Sequence, residues 1–223
     1  MSLVQRQVVL HDRRETSAPA GVAPVMLEAC RAASLQIGGP TLSQLGITST
    51  MRGEGRTSVA LAMAHVQRED YGRSVLLIDL DFDNPKLARL CGCHSWPGMA
   101  ELSREALLAD VTQTVEEGIT VIAAGAPDGS APRIVMDLER GKMLERVGKH
   151  YDVVIADLPP LLGCTFGQNV AAWFNDLLLV VRTRVTPVAR IREATAHLSV
   201  EPRVLLNGAQ SDLPRWLRNL TGR

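Results

Sequence analysis

The chain contains six short, nearly continuous apolar runs, and they constrain its fold more than any other feature of the sequence. In chain order they read QLGITS, SVLLID, ITVIAAG, DVVIAD, DLLLVV and RVLLN. Runs without polar alternation are typical of strands that are covered on both faces, as in a parallel sheet. Helix-like segments lie before and between them, over residues 24–37, 57–67, 98–108, 133–147, 168–174 and 187–197. This alternation predicts an α/β fold with a mostly parallel central sheet flanked by helices.

The length and composition of the chain suit one domain with a sizeable core. The chain has 223 residues, of which 46% are hydrophobic. Its polar start carries proline and glycine near its end, which is typical of an irregular segment. We therefore expect residues 1–23 to form a tail or linker and residues 24–223 to form the folded domain.

Charge and hydropathy narrow the classes of function. The formal net charge is zero, whereas a nucleic-acid-binding protein usually carries a basic excess. No run approaches the ~20 apolar residues of a membrane-spanning helix, and the start of the chain has no apolar stretch long enough for a signal peptide. The sequence therefore predicts a cytoplasmic protein with reduced cysteines and no nucleic-acid partner.

The stretch from Gly46 to Ala64 reads as a strand end, a glycine-bearing turn and the start of a helix. In such a turn, backbone N–H groups and the partial positive charge of the helix N-terminus face one point and can bind an anion. Gly53 and Gly55 would let the backbone approach phosphates closely, and Thr57 offers a hydroxyl to Mg²⁺. The sequence therefore predicts a phosphate-binding loop here.

Two positions depart from the usual form of such a loop. Arg56 stands where lysine is usual, and Thr50 stands where the first glycine is usual. Arginine is planar, wider than lysine and donates in a fixed fork, so it would hold a phosphate at a different place. The alternative is an ordinary glycine-bearing turn that binds nothing.

Aspartates follow two of the apolar runs. Asp79, Asp81 and Asp83 end the stretch VLLIDLDFDNP, and all three would point to one side if the strand persists. Like charges that are so close need a cation, and Mg²⁺ beside a phosphate loop would supply it. Asp157 ends the run YDVVIAD, where a second Mg²⁺ contact through water would lie. The alternative for each residue is a solvated loop aspartate.

Together these stretches resemble the bacterial tyrosine kinases of capsule and exopolysaccharide biosynthesis. That family is a branch of the deviant Walker A P-loop ATPases, which also include the MinD- and ParA-type partitioning ATPases. Residues 48–57 resemble its Thr-Ser-Ser-x-Pro-Gly-Glu-Gly-Lys-Thr loop, 77–85 its Leu-Ile-Asp-x-Asp-x-Arg-x-Pro motif and 152–160 its Asp-x-x-Ile-x-Asp-x-Pro-Pro motif. The similarity extends from about residue 20 to residue 207. It implies a P-loop NTPase fold that binds ATP or ADP with Mg²⁺.

The resemblance implies roles for individual residues. The catalytic group would comprise Asp79, Asp81 and Arg56. The nucleotide would contact Thr50, Arg52, Gly53, Glu54, Gly55, Arg56, Thr57, Ser58, Arg182 and Asn207. The metal ligands would be Thr57, Asp79 and Asp157. Asn207 would bind the adenine edge, and its alternative role is to cap a turn.

Three residues depart from the family motifs, namely Arg52 for proline, Arg56 for lysine and Asp83 for arginine. Loss of the lysine should remove charge stabilisation at the bridging oxygen, which typically costs about 10²–10³ in rate, unless Arg56 substitutes in part. An arginine–aspartate pair could also close the pocket on itself. In a nucleotide-free structure, Arg52 or Arg56 lying well beyond salt-bridge reach of Asp83 would exclude that closure.

The kinase branch is favoured over the partitioning branch. Partitioning proteins carry a signature lysine at the position of Met51, whereas Glu54 matches the kinases. The chain has only two tyrosines, Tyr71 and Tyr151, and neither lies near its end. We therefore do not expect self-phosphorylation on a tyrosine-rich tail. A non-catalytic scaffold and a partitioning ATPase remain the alternative functions.

The resemblance also implies partners. A membrane-embedded polysaccharide chain-length regulator would recruit the protein to the inner face of the membrane. Glu28 and Arg31 match part of a family Glu-x-x-Arg-x-x-Arg helix through which subunits pack into rings, and Ser34 replaces the last arginine. The alternative is an i,i+3 ion pair on an exposed helix face.

Overall fold

A seven-stranded sheet organises the fold. A computed structural model of the protein describes residues 22–127 and 129–208. The strands are β1 (Gln44–Ser49), β2 (Val75–Asp79), β3 (Gln113–Glu116), β4 (Ile119–Ile122), β5 (Val153–Asp157), β6 (Leu177–Arg182) and β7 (Arg203–Asn207). Their order across the sheet is β3-β4-β2-β5-β1-β6-β7, and all neighbours are parallel except β3 and β4. The predicted α/β fold is confirmed.

Helices connect the strands and cover the sheet. In the described part of the chain they are α1 (Pro24–Gln36), α2 (Arg56–Tyr71), α3 (Leu87–Cys91), α4 (Met99–Leu102), α5 (Leu108–Val111), α6 (Ala131–Arg140), α7 (Met143–Val147), α8 (Gly167–Ala171) and α9 (Val188–Thr195), with a 3-10 turn over Gly39–Thr41. Nearly all of the predicted tail, and the last part of the predicted 24–223 domain, lie outside the described residues. Those two boundaries stay predictions.

Burial on both faces explains why the strands are continuously apolar. Every residue of β2 and β5 is buried. Successive strand residues face opposite sides of a sheet. Accordingly, Leu76 and Ile78 join one apolar core cluster, whereas Val75 and Leu77 join the other. The same residues therefore support two cores, one on each side of the sheet.

The sequence did not predict the edge strand β3. It pairs antiparallel with β4, it is only four residues long, and its burial alternates between half-buried and exposed. A strand with one solvated face has no continuous apolar run to reveal it. The pairing also shifts register between Thr114 and Glu116.

Two of the predicted helices were wrong in length. The segment 98–108 contains only the one-turn α4 and the start of α5, and Glu105 between them has a left-handed φ of 71°. The segment 133–147 is divided into α6 and α7 at Gly141 and Lys142, and Lys142 has a φ of 48°. A residue in the left-handed region interrupts the repeat of helical hydrogen bonds, which an apolar pattern does not reveal.

Candidate phosphate-binding site

Three neighbouring strands bring the predicted site together. β1, β5 and β2 are adjacent in the middle of the sheet and run in the same direction. In their register, Asp157 pairs with Asp79 on one side and with Ile47 on the other. Because the carboxyl ends of parallel strands lie at one edge, the loop after β1 lies beside both aspartates.

Two glycines of the loop between β1 and α2 have positive φ angles. Gly53 has a φ of 84°, and Gly55, which immediately precedes α2, has a φ of 96°. Residues with side chains rarely adopt such angles. A Cβ atom at Gly55 would collide with Nδ2 of Asn207, whereas one at Gly53 would meet open space. The loop therefore depends on glycine for two different reasons.

Glu54 connects this loop to the turn that follows β6. Its side chain is buried, with 2% exposure. Its Oε2 accepts the N–H of Met51 at 2.7 Å, and its Oε1 accepts the N–H of Arg182 at 3.1 Å and the hydroxyl of Thr186. The Arg182 residue is itself exposed. The buried Glu54 side chain therefore stabilises the conformation of the loop through these hydrogen bonds.

Asn207 supports the same loop from the end of β7. Its Nδ2 donates to the backbone carbonyl of Glu54 at 2.9 Å. Its own carbonyl accepts the N–H of Thr183 at 3.0 Å, so the residue also closes the turn after β6. Asn207 thus contacts both the loop and the turn, and its contact with adenine stays a prediction.

Arg56 is buried in a cluster of carboxylates. Its side chain is 6% exposed, and its Nη2 lies against Oδ2 of Asp81. Its Nε is 3.5 Å from Oδ1 of Asp157, and its Nη1 donates to the hydroxyl of Ser49 at 3.3 Å. Ser49 lies in the matched loop motif, but no sequence feature distinguished it as a site residue. The carboxylates that Arg56 pairs with are thus those of Asp81 and Asp157, whereas one form of the predicted closure paired it with Asp83.

Arg52 makes the other ion pairs at this edge. Its Nη2 is 3.3 Å from Oδ2 of Asp83, and its Nη1 is 3.4 Å from Oδ2 of Asp81. An arginine–aspartate ion pair at Asp83 is therefore present, but its arginine is Arg52 and not Arg56. The strand on which the three aspartates were expected to point to one side does not persist, because β2 ends at Asp79. The side chain of Asp83 is 42% exposed, whereas that of Asp81 is 1% exposed.

Asp79 is held by the backbone that follows it. One carboxylate oxygen accepts the N–H of Asp81 at 3.0 Å, and the other accepts those of Lys86 at 3.1 Å and Leu87 at 3.0 Å. Burial raises the pKa of Asp79 to about 6, although these hydrogen bonds oppose the rise. The Asp79 carboxylate thus stabilises the backbone of the segment between β2 and α3.

Asp157 is more strongly affected by burial. Its pKa is raised to about 8, first by burial and then by the neighbouring charge of Asp79, while Arg56 and the hydroxyl of Thr57 oppose the rise. Its Oδ1 is buried and has no hydrogen-bond partner. Thr50 next to the loop also has a buried hydroxyl without such a partner.

The donor set suits Mg²⁺ chemically. The hydroxyl of Thr57 and the carboxylate of Asp157 are the hard oxygen ligands that Mg²⁺ prefers, and the free Oδ1 of Asp157 offers an open acceptor. The guanidinium of Arg56 lies at this carboxylate, however. Among the described residues, no group of three or more His, Cys, Asp or Glu side chains is arranged to hold a metal ion. A metal would therefore need Arg56 to move.

The fold and the site define a class, the P-loop NTPases. The loop between β1 and α2, the acidic ends of β2 and β5 and the mostly parallel sheet are its parts. The chain matches no protein-family model.

Named relatives of the chain are bacterial tyrosine-protein kinases. Tyrosine-protein kinase ptk of Acinetobacter johnsonii is 24% identical over 156 residues, which are 69% of this chain and 21% of that protein. The chain therefore spans about a fifth of that relative's length. The kinase domain of the Escherichia coli tyrosine kinase ETK superposes with a TM-score of 0.74 at 25% identity, covering 84% of this chain and 79% of that domain.

Partitioning proteins are more distant structural neighbours. A plasmid partition protein from Borrelia burgdorferi has a TM-score of 0.59 at 14% identity, covering 82% of this chain and 87% of that one. This likeness shows a shared fold. Similarity to the tyrosine kinases therefore extends to sequence as well as fold, as the motifs predicted.

Proposed function

We propose that this chain is an ATP- or ADP-binding protein of the capsule and exopolysaccharide tyrosine kinase type, with phosphoryl transfer weakened by Arg56. The observation that carries the proposal is the convergence of the glycine loop with Asp79 and Asp157 at one edge of the sheet. Its kinase-domain neighbours and tyrosine-kinase relatives support the same class.

The chain's own residues suggest how a nucleotide would be bound. Backbone N–H groups of residues 53–57 and the N-terminus of the 16-residue α2 would face the phosphates. Thr57 and Asp157 are the residues that would hold Mg²⁺, which in such sites neutralises phosphate charge. Asp79 would lie near the attacking hydroxyl, with Asp81 beside it. Asn207 would lie at the base, since it already borders the loop.

Arg56 is the reason to expect a reduced rate. Phosphoryl transfer depends mainly on positioning and on the neutralisation of charge. A guanidinium engaged with Asp81 and Asp157 is directed towards the protein's own carboxylates instead of a phosphate. Loss of one such stabilising contact typically costs about 10²–10³ in rate.

A non-catalytic scaffold is the second candidate. The ion pairs of Arg52 and Arg56 with Asp81, Asp83 and Asp157 favour it, because they satisfy the charges of the site without a ligand. A partitioning ATPase is less well supported, because Met51 stands at the position of the signature lysine.

Partners and location belong to the same proposal. A membrane-embedded chain-length regulator would recruit a cytoplasmic protein of this kind to the membrane. No helix in the described ranges is both long and apolar enough to cross a bilayer. The proposed ring contact through α1 would have to share Arg31, which already pairs with Glu28 at 2.9 Å and with Asp70 of α2 at 2.9 Å.

The test is the affinity for ATP and ADP, and the turnover of ATP, for the chain and for Arg56→Lys. We expect measurable binding by both proteins and a turnover that rises by about 10²-fold or more in Arg56→Lys. Binding without turnover in both proteins would support the scaffold, and absence of binding in both would reject nucleotide binding altogether. Phosphotyrosine on a co-expressed regulator would distinguish a kinase from a partitioning ATPase.

A further inference from the structure

Three carboxylates are buried together at the edge of the sheet, with one buried cation among them. Asp79, Asp81 and Asp157 are at most 1% exposed, and Arg56 is 5% exposed. Buried charges of one sign are costly unless a cation compensates them. Arg52, the other arginine that contacts this group, has a side chain that is 38% exposed, so it supplies less of that compensation.

The fork of Arg56 reaches two of these carboxylates at once. It extends from the first turn of α2, contacts Asp81 through Nη2 and approaches Asp157 through Nε, while Ser49 fixes Nη1. Asp79 is not the main partner, because its oxygens accept backbone N–H groups. The guanidinium therefore bridges Asp81 and Asp157.

One carboxylate oxygen at this bridge, Oδ1 of Asp157, contacts Arg56 and has no hydrogen-bond partner. Oδ1 of Asp157 is buried and has no hydrogen bond, and its ion pair with Arg56 is a long contact of 3.5 Å. The hydroxyl of Thr57 opposes the rise in the pKa of this carboxylate, which indicates that it is close to Asp157. An oxygen of this kind is a free ligand position as soon as the guanidinium leaves.

We propose that Arg56 is the resident cation of this site and that it excludes a divalent metal from Asp157 and Thr57 in the nucleotide-free protein. The inference deepens the proposed function, and it can be tested without a nucleotide. An arginine fork can contact two carboxylates and Ser49 together, whereas a lysine ammonium is a single point charge on a flexible stem. Arg56→Lys should therefore exclude the metal less completely.

The test is a titration of the nucleotide-free proteins with Mn²⁺, a spectroscopic substitute for Mg²⁺ at oxygen ligands. Electron paramagnetic resonance would measure free Mn²⁺ for the unmodified chain, Arg56→Ala and Arg56→Lys. We expect one site in Arg56→Ala that is at least about tenfold tighter than any in the unmodified chain, with Arg56→Lys between them. Equal Mn²⁺ affinity in the three proteins would overturn the proposal.

Two further variants keep the test specific. Arg133→Ala removes an arginine of α6 whose side chain is 84% exposed, and it should leave Mn²⁺ binding within about twofold of the unmodified chain. Arg56→Ala combined with Asp157→Asn should lose the gained site. If Arg56→Ala does not fold, Arg56→Met keeps the apolar stem of the side chain and replaces it in the series. A gained site that persists without Asp157 would also contradict the proposal.

The outcome is separable from that of the proposed function, since no nucleotide is added. A chain that gains Mn²⁺ on loss of Arg56 but never binds ATP would support the resident cation and reject nucleotide binding. A chain that binds ATP but takes up Mn²⁺ equally well with and without Arg56 would give the opposite result.

Discussion

The guanidinium of Arg56 at the start of α2 lies against the carboxylate of Asp81, just beyond the end of β2, and both side chains are almost fully buried. The pair therefore connects the start of α2 to the segment that follows β2. A lysine at this position would present one ammonium instead of a fork. The replacement changes the internal electrostatics of the site as well as its contact with a ligand.

Removal of Arg56 should destabilise the nucleotide-free protein. Arg56→Ala leaves Asp81 buried without its closest partner, and loss of one member of a buried pair typically costs about 3–5 kcal/mol. Arg52→Ala is the matched control, because its pairs with Asp81 and Asp83 are partly exposed and worth about 1 kcal/mol or less. Urea unfolding would measure both. Equal losses would show that the burial of Arg56 contributes nothing.

The two glycines of the loop should differ in their tolerance of alanine. Gly53→Ala should cost about 1 kcal/mol, because the position has a positive φ but open space around it. Gly55→Ala should cost about 1–3 kcal/mol more, because the new methyl group collides with Asn207. Thermal unfolding would give the order. Relief of part of the Gly55→Ala loss by Asn207→Ala would identify the collision as the cause.

Glu54 should matter for stability beyond any contact with a nucleotide. Glu54→Ala removes the buried carboxylate that accepts hydrogen bonds from Met51, Arg182 and Thr186, and a hydrogen bond to a charged group typically contributes about 1.5–3 kcal/mol. The control is Glu117→Ala, since that side chain is 94% exposed and should change stability by about 0.5 kcal/mol or less. Unfolding of the nucleotide-free variants would be compared. A Glu54→Ala variant as stable as the control would show that the hydrogen bonds of Glu54 do not stabilise the loop.

His65 should make the protein less stable in mild acid. It is buried on α2, and burial lowers its pKa below the usual 6.5, although Glu116, 3.4 Å away, opposes the shift. Between the lowered pKa and 6.5, the unfolded chain binds a proton that the folded chain does not, so stability is lost as pH falls through this window. His65→Gln, which cannot gain a proton, should reduce that loss. Unfolding curves between about pH 7 and pH 5 would test it, and identical pH slopes for both proteins would argue against it.

Sequence patterns predicted most of the sheet because burial on both faces leaves a visible mark. Val153 and Val154 face different cores yet are both apolar, so β5 appears as a continuous run. β3 left no such mark, since it is short and half-solvated. The breaks at Glu105 and Lys142 depend on backbone angles that those residue types seldom adopt, so no pattern predicts them.

The sequence predicted which residues lie at the site better than it predicted which arginine pairs with which aspartate. Motif order placed the loop, Asp79 and Asp157 together, because parallel strands end at one edge of the sheet. The sequence also predicted an arginine–aspartate closure, but not that Arg52 would take Asp83 while Arg56 turned inward. That choice depends on depth, since Asp83 is half-exposed and Asp81 is buried beside the first turn of α2.

The three backbone hydrogen bonds to Asp79 have a mechanical consequence. Asp79, which is expected near the reaction, also holds the segment 80–87 in place, and that segment carries Asp81 and Asp83. If Asp79 rotated towards a ligand, these hydrogen bonds would break. The segment would then be less fixed, and so would Asp81 and Asp83, which pair with Arg56 and Arg52. Ligand binding at Asp79 would thus weaken the ion pairs of Arg52 and Arg56 through the main chain, without a domain movement.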